Sequence, residues 1–147
     1  MLTDYFLALA SLVFGALLLR MRRGHHTVSL LLWAIGFFVA ATAAVAGGTY
    51  HGFALSFSET GHRAMWNLTM LLIGVSVGLF VAAIVTKPKN RPEHKSWLTA
   101  GVLLSGFGLI VQQSGLSFLQ NFTHNDLYHC IQIIAFYLFF RAAEAIA

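Results

Sequence analysis

Residues 28–50 contain no charged side chain, and no other feature restricts the fold of this chain as tightly. At about 1.5 Å per residue, a helix of that length crosses a hydrocarbon layer of roughly 30 Å. Within such a layer every backbone N–H and C=O has to find its partner inside the protein, so the run is expected to span as a helix. Four more apolar segments accompany it, at residues 5–19, 64–86, 97–118 and 126–146. Composition agrees: 58% of the residues are hydrophobic and 10% are charged, against about 25% charged in a soluble domain. The expected fold is an all-α integral membrane bundle of five transmembrane helices. It forms one domain over residues 1–147, because the segments bury one another.

The charges between the segments predict an orientation. Arg20, Arg22 and Arg23 follow the first segment; Lys87, Lys89, Arg91 and Lys95 follow the third; Arg141 lies near the end of the fifth. With five spans all of these fall on one side, and the opposite side keeps only Arg63, next to Glu59. Basic residues mark the cytoplasmic side, which puts the N-terminus outside and the C-terminus in the cytoplasm of a plasma membrane or bacterial inner membrane. The same clustering accounts for the net charge of +4 without a nucleic-acid partner. A cleaved signal sequence carries its positive charge ahead of the apolar run, whereas here Asp4 precedes the run and the arginines follow it, so the first segment is expected to be retained. The single Cys130 rules out a disulfide within the chain.

Small residues recur at helical spacing. Gly74 and Gly78 form a GxxxG pattern in the third span; Ala40, Ala44 and Gly48 repeat every four residues in the second; Gly101 and Ser105 do so in the fourth. In a bilayer such residues let helix backbones approach closely, so all three sets are expected to pack inside the bundle. Pro88 and Pro92 are expected to end the third span.

Polar groups in an apolar bundle are where chemistry is expected. The start of the fifth span, THNDLYH at residues 123–129, gathers His124, Asn125, Asp126 and His129, and the second span closes on AGGTYHGF at residues 46–53, with His51. His62 opens the third span eleven residues later. By the span count these groups share the outer side, whereas His25, His26 and His94 fall in the inner loops. Asp126 and His129, three residues apart, share a helix face. Asp126 is thus a candidate ligand, a general base or the group that orients a histidine; Gln132, one turn below His129, is a second candidate for that orienting role. Asn125 or Asp126 also suits the N-cap of the span. His124 and His129 are about 140° apart around a helix, so they can share one centre only if the helix starts after His124. Trp33 and Gln112–Gln113 are candidates for lining a cavity.

Three imidazoles around one zinc would leave a position for water, whose pKa the metal lowers to about 7. The expected ligands are His51, His129 and one of His62 or His124. Two other readings use the same residues. One is a non-enzymatic bundle that binds a lipid or a partner protein; the other is a b-type haem protein with His51 and another outer histidine as axial ligands.

GGTYHGF followed by LYHCIQ resembles the pattern of the alkaline ceramidase-like membrane hydrolases, a superfamily that also holds the progestin and adiponectin receptors. The resemblance implies a three-histidine zinc centre that hydrolyses an amide bond in a lipid substrate. His51 corresponds to the early histidine of that pattern and His129 to the second of its late pair. The pattern also has a histidine where this chain has Asn125, an aspartate where it has His62, and seven spans where five are read here.

Overall fold

A computed structural model describes residues 2–23, 27–86, 92–115 and 122–147. Within them the chain forms five α-helices: α1 (Leu2–Arg22), α2 (Val28–Gly52), α3 (Glu59–Val85), α4 (Pro92–Ser114) and α5 (His124–Glu144). A short 3-10 turn, Ala54–Ser56, links α2 to α3. Three of the helices, α1, α2 and α3, are long and apolar enough to cross a membrane. The expectations placed on His25, His26, Lys87, Pro88, Lys89, Arg91 and the end of the fourth segment fall outside the described residues.

Several helices start earlier than their apolar segments, because the starts are set by caps rather than by hydropathy. Ser58 caps α3 by accepting a hydrogen bond from the Gly61 N–H at 3.2 Å, which brings His62 and Arg63 into the helix. The α4 helix begins at Pro92, whose ring suits a first helical position. Pro92 therefore opens a helix instead of closing the third span. His94 consequently lies within α4, fully buried, and not in a basic loop. Thr123 caps α5 in a reciprocal capping box with Asp126, so the cap is neither Asn125 nor Asp126.

The helices alternate in direction, as contacts at both ends show. At one end Ser29 near the start of α2 donates to the Ala83 carbonyl near the end of α3 at 2.6 Å. On the same side His94 Nδ1 of α4 lies 2.8 Å from the Ala142 carbonyl of α5. This end also carries Arg20 and Arg22 of α1 and Arg141 of α5, and is called the basic end below. The opposite, polar end gathers the start of α1, the end of α2 and the starts of α3 and α5.

The packing runs α3–α2–α1–α5–α4, with α2 against α1 and α3, and α5 against α1 and α4. Trp33 and Phe37 of α2, Phe80 of α3, and Phe136 and Phe139 of α5 close the centre. Their rings meet at 4.9 Å (Trp33–Phe80) and 5.1 Å (Phe37–Phe80), spacings at which an aromatic pair adds about 0.5–1.5 kcal/mol beyond its burial. Trp33 is thus a core residue.

Two of the three small-residue sets pack as expected. Ala40, Ala44 and Gly48 are buried, and a Cβ at Gly101 would lie 2.6 Å from the Phe139 ring. The third set corrects the expectation: Gly74 and Gly78 are exposed, and a Cβ at either would meet nothing within 4 Å. On α3 it is Ser76, between the two glycines, that turns inward and donates to the Gly36 carbonyl at 3.0 Å.

Candidate functional site

At the polar end the first turn of α1 runs against the first two turns of α5. The contact is a chain of four polar side chains. The His129 ring presents Nε2 to Asp4 Oδ1 at 3.3 Å and Nδ1 to Thr3 Oγ1 at 3.2 Å. Thr3 donates its hydroxyl proton to Asp126 Oδ1 at 2.8 Å. The other Asp126 oxygen accepts from the Thr123 N–H at 3.0 Å and from its hydroxyl at 2.9 Å. One carboxylate thus caps a helix and holds a hydroxyl at once.

The cluster is sheltered from solvent: the side chains of His129 and Asp4 are 12% and 3% exposed. Removing one partner leaves a sheltered polar group without its hydrogen bond, at a cost of roughly 1–3 kcal/mol. The glycines of α2 make the shelter possible. A Cβ at Gly48 would lie 2.9 Å from Asp4 Cβ, and one at Gly47 would lie 3.6 Å from Asp4 Oδ1. The close packing expected at Gly48 is real, and the helix that approaches is α1. Next to it the Tyr5 hydroxyl lies 3.4 Å from Thr49 Oγ1.

The remaining expected site residues surround this cluster without completing it. His51 lies in the last turn of α2 with an exposed ring edge-on to Tyr50 at 5.1 Å. The His62 ring packs on Tyr50 at a centroid distance of 4.3 Å and faces Phe57 at 6.4 Å. His124 is the first residue of α5, so it shares the helix with His129 and points elsewhere; its Nδ1 is buried with no hydrogen-bond partner among the described residues. Asn125 accepts from Gln112 at 3.4 Å, which ties α4 to α5. Gln132 does not orient His129; it pairs with Ser105 of α4, the two exchanging hydrogen bonds at 2.6 and 3.0 Å. Among the described residues no three of His, Cys, Asp or Glu converge into a group that could hold a metal ion.

Thr3 and Asp4 are the functional residues that sequence reasoning passed over. In the sequence Asp4 stands out only as a charge ahead of the first apolar run. Its signal was the span count itself, which puts the N-terminus on the same side as His51 and His129. A carboxylate carried into an apolar bundle needs a partner, and His129 on that side is the partner.

The fold and the site together define a class: a helical bundle with three membrane-length apolar helices and a buried acid–imidazole–hydroxyl cluster at one end. Two overlapping matches, over residues 1–99 and 86–147, fit the model of a family described as a family of unknown function (DUF6962), and the chain belongs to that family. No curated protein and no solved structure matches it.

Proposed function

We propose that the protein is a membrane hydrolase of five spans that cleaves a lipid amide or ester at the outer face of the membrane. The observation that carries this reading is His129, largely sheltered and held between a carboxylate on one ring nitrogen and a hydroxyl on the other. An imidazole so placed takes a proton from a reacting oxygen and returns it to a leaving group, and a positioned base of this kind contributes about 10²–10⁴ in rate. Asp4 fixes the ring and balances the charge that forms on it. Asp126 holds the hydroxyl in place. A lipid head is the substrate class that reaches such a site from the membrane surface, and the exposed Leu2 and Phe6 beside Thr3 and Asp4 offer it an apolar approach.

The five-span topology draws on length and direction. The 23 residues of α4 and the 21 of α5 make helices of about 34 and 31 Å, enough to cross the layer, and their polar groups Ser105, Gln132 and His94 are paired with each other or with α5. The basic residues at the ends of α1 and α5 support an outer N-terminus and a cytoplasmic C-terminus. Cysteines placed at positions 60 and 90 test this in intact cells: an impermeant maleimide should label 60 and spare 90, and the reverse would overturn the topology.

The zinc implied by the resemblance calls for three donors around one point. Asp4 Oδ1 and His129 Nε2, 3.3 Å apart, have the separation of two ligands that share an ion at about 2.1 Å each. His51, His62 and His124 do not complete the set in the arrangement described above, so the proposed chemistry is assigned to the protein's own acid and base. The test is turnover of a panel of lipid esters and amides by the detergent-purified protein, with and without 1,10-phenanthroline. Hydrolysis is expected to resist the chelator and to fall about 10²–10⁴-fold in His129→Ala. Hydrolysis lost to the chelator and restored by zinc would favour the metal centre; no hydrolysis of any member would leave the second reading. In that reading the bundle is non-enzymatic and binds a lipid or a partner protein, and the cluster serves as a tie between α1 and α5. The capping box of Thr123 and Asp126 favours it, since capping alone explains one of the two carboxylates.

A further inference from the structure

The Thr3 hydroxyl lies between two proton acceptors, Asp126 Oδ1 at 2.8 Å and His129 Nδ1 at 3.2 Å. A hydroxyl that served only to tie two helices would need one of them. Asp4 on the far side of the ring decides what the second can do. A carboxylate at Nε2 keeps the ring proton on that nitrogen, which leaves Nδ1, facing Thr3, as the basic one. Hydroxyl, imidazole and carboxylate then stand in the order that activates an oxygen nucleophile: each ring nitrogen has one partner, and the carboxylate fixes the tautomer. Thr3 is only half-buried, so its oxygen can meet a substrate. It also sits in the first turn of α1, where backbone N–H groups have no carbonyl within the helix to bond and are aimed toward negative charge.

We propose that Thr3 is the nucleophile of this site and that hydrolysis passes through an acyl-threonine ester. The inference rests on the hydrolase reading above and deepens it. To react, the hydroxyl turns its single proton from Asp126 Oδ1 to His129 Nδ1; Thr3 Oγ1 then attacks the acyl carbon of the lipid as that proton passes to the ring. The bond from the acyl carbon to the leaving oxygen or nitrogen breaks, and His129 returns the proton to that atom. Water then attacks the ester carbon, gives a proton to His129, and Thr3 leaves with that proton restored. Overall, one water is consumed and one acyl bond is cleaved, with no redox partner. His129 is the catalytic base, Thr3 the catalytic nucleophile, and Asp4 and Asp126 are positioning residues.

The experiment uses a fluorophosphonate probe on the full-length protein in detergent, with the adduct located by peptide mass spectrometry and lipid-ester turnover measured in parallel. The Thr3 oxygen should displace fluoride from phosphorus, and the adduct should map to Thr3. Labelling should be lost in Thr3→Ala and in His129→Ala, retained in Thr3→Ser, and unchanged in Thr60→Ala, an exposed hydroxyl in the first turn of α3. Thr3→Ser keeps the hydroxyl, so its retained labelling and turnover separate chemistry from misfolding in Thr3→Ala. If wild-type protein hydrolyses lipid esters but Thr3→Ala does so at the same rate, or the adduct maps elsewhere, the nucleophile is wrong and the hydrolase reading stands. If wild-type protein neither reacts with the probe nor hydrolyses any ester or amide, both fall together.

Discussion

His129 of α5 is sheltered and His94 of α4 fully buried, yet the two histidines occupy opposite ends of the bundle and have different kinds of partner. His94 is fully buried at the basic end and sets its Nδ1 2.8 Å from the Ala142 carbonyl. A backbone carbonyl neither gains nor loses a proton, so this contact is a staple between α4 and α5. His129 at the polar end meets Asp4 on one nitrogen and Thr3 on the other. Both of those partners exchange protons or share them. Burial marks both residues as important; only the chemistry of the partners separates a staple from a site.

Exchanging the two histidines' fates is the strongest test of that contrast. His129→Ala should reduce turnover about 10²–10⁴-fold. His94→Ala should leave kcat within a few-fold and instead lower stability by roughly 1–3 kcal/mol through the lost bond to the carbonyl, read as an earlier thermal transition in the same detergent. A His94→Ala protein that unfolds no earlier but loses turnover would break the distinction.

A smaller effect separates the glycines of the two regions. Gly48 supports the polar end, where a Cβ would lie 2.9 Å from Asp4 Cβ, whereas a Cβ at Gly74 would touch nothing. Gly48→Ala should therefore push α1 away from α2, lowering turnover together with thermal stability. Gly74→Ala should raise stability by about 0.5–1 kcal/mol, the ordinary gain for alanine over glycine within a helix. Equal effects at the two positions would mean that the close approach of α1 to α2 contributes nothing to the site.

The sequence made the helical fold legible because membrane-length apolar runs and basic clusters carry both element type and direction. Helix starts were less legible. Ser58, Pro92 and Thr123 set them, and each lies outside the apolar run that the eye follows. That displacement is why His94 was expected in a loop and is found in the core. In the candidate site, His129 and Asp126 were readable from clustering, and the approach at Gly48 from small-residue spacing. Asp4 and Thr3 were not, since their role exists only once α1 is laid against α5. Spacing could place Gln132 one turn below His129, but not decide that Ser105 of the neighbouring helix would take it. The GxxxG of α3 shows the same limit: the pattern states that a face can be approached closely, not that anything in the chain approaches it.

The central claim is that Asp4 and His129 act as one unit, and a double-mutant cycle on turnover tests it most directly. Asp4→Asn, His129→Gln and the double variant should be compared for kcat/KM on one lipid ester in the same detergent. Groups that work as a unit show grossly non-additive losses, so the double variant should be no slower than His129→Gln alone. If the losses of the two single variants multiply in the double variant, Asp4 and His129 act independently, and the account of this site is wrong.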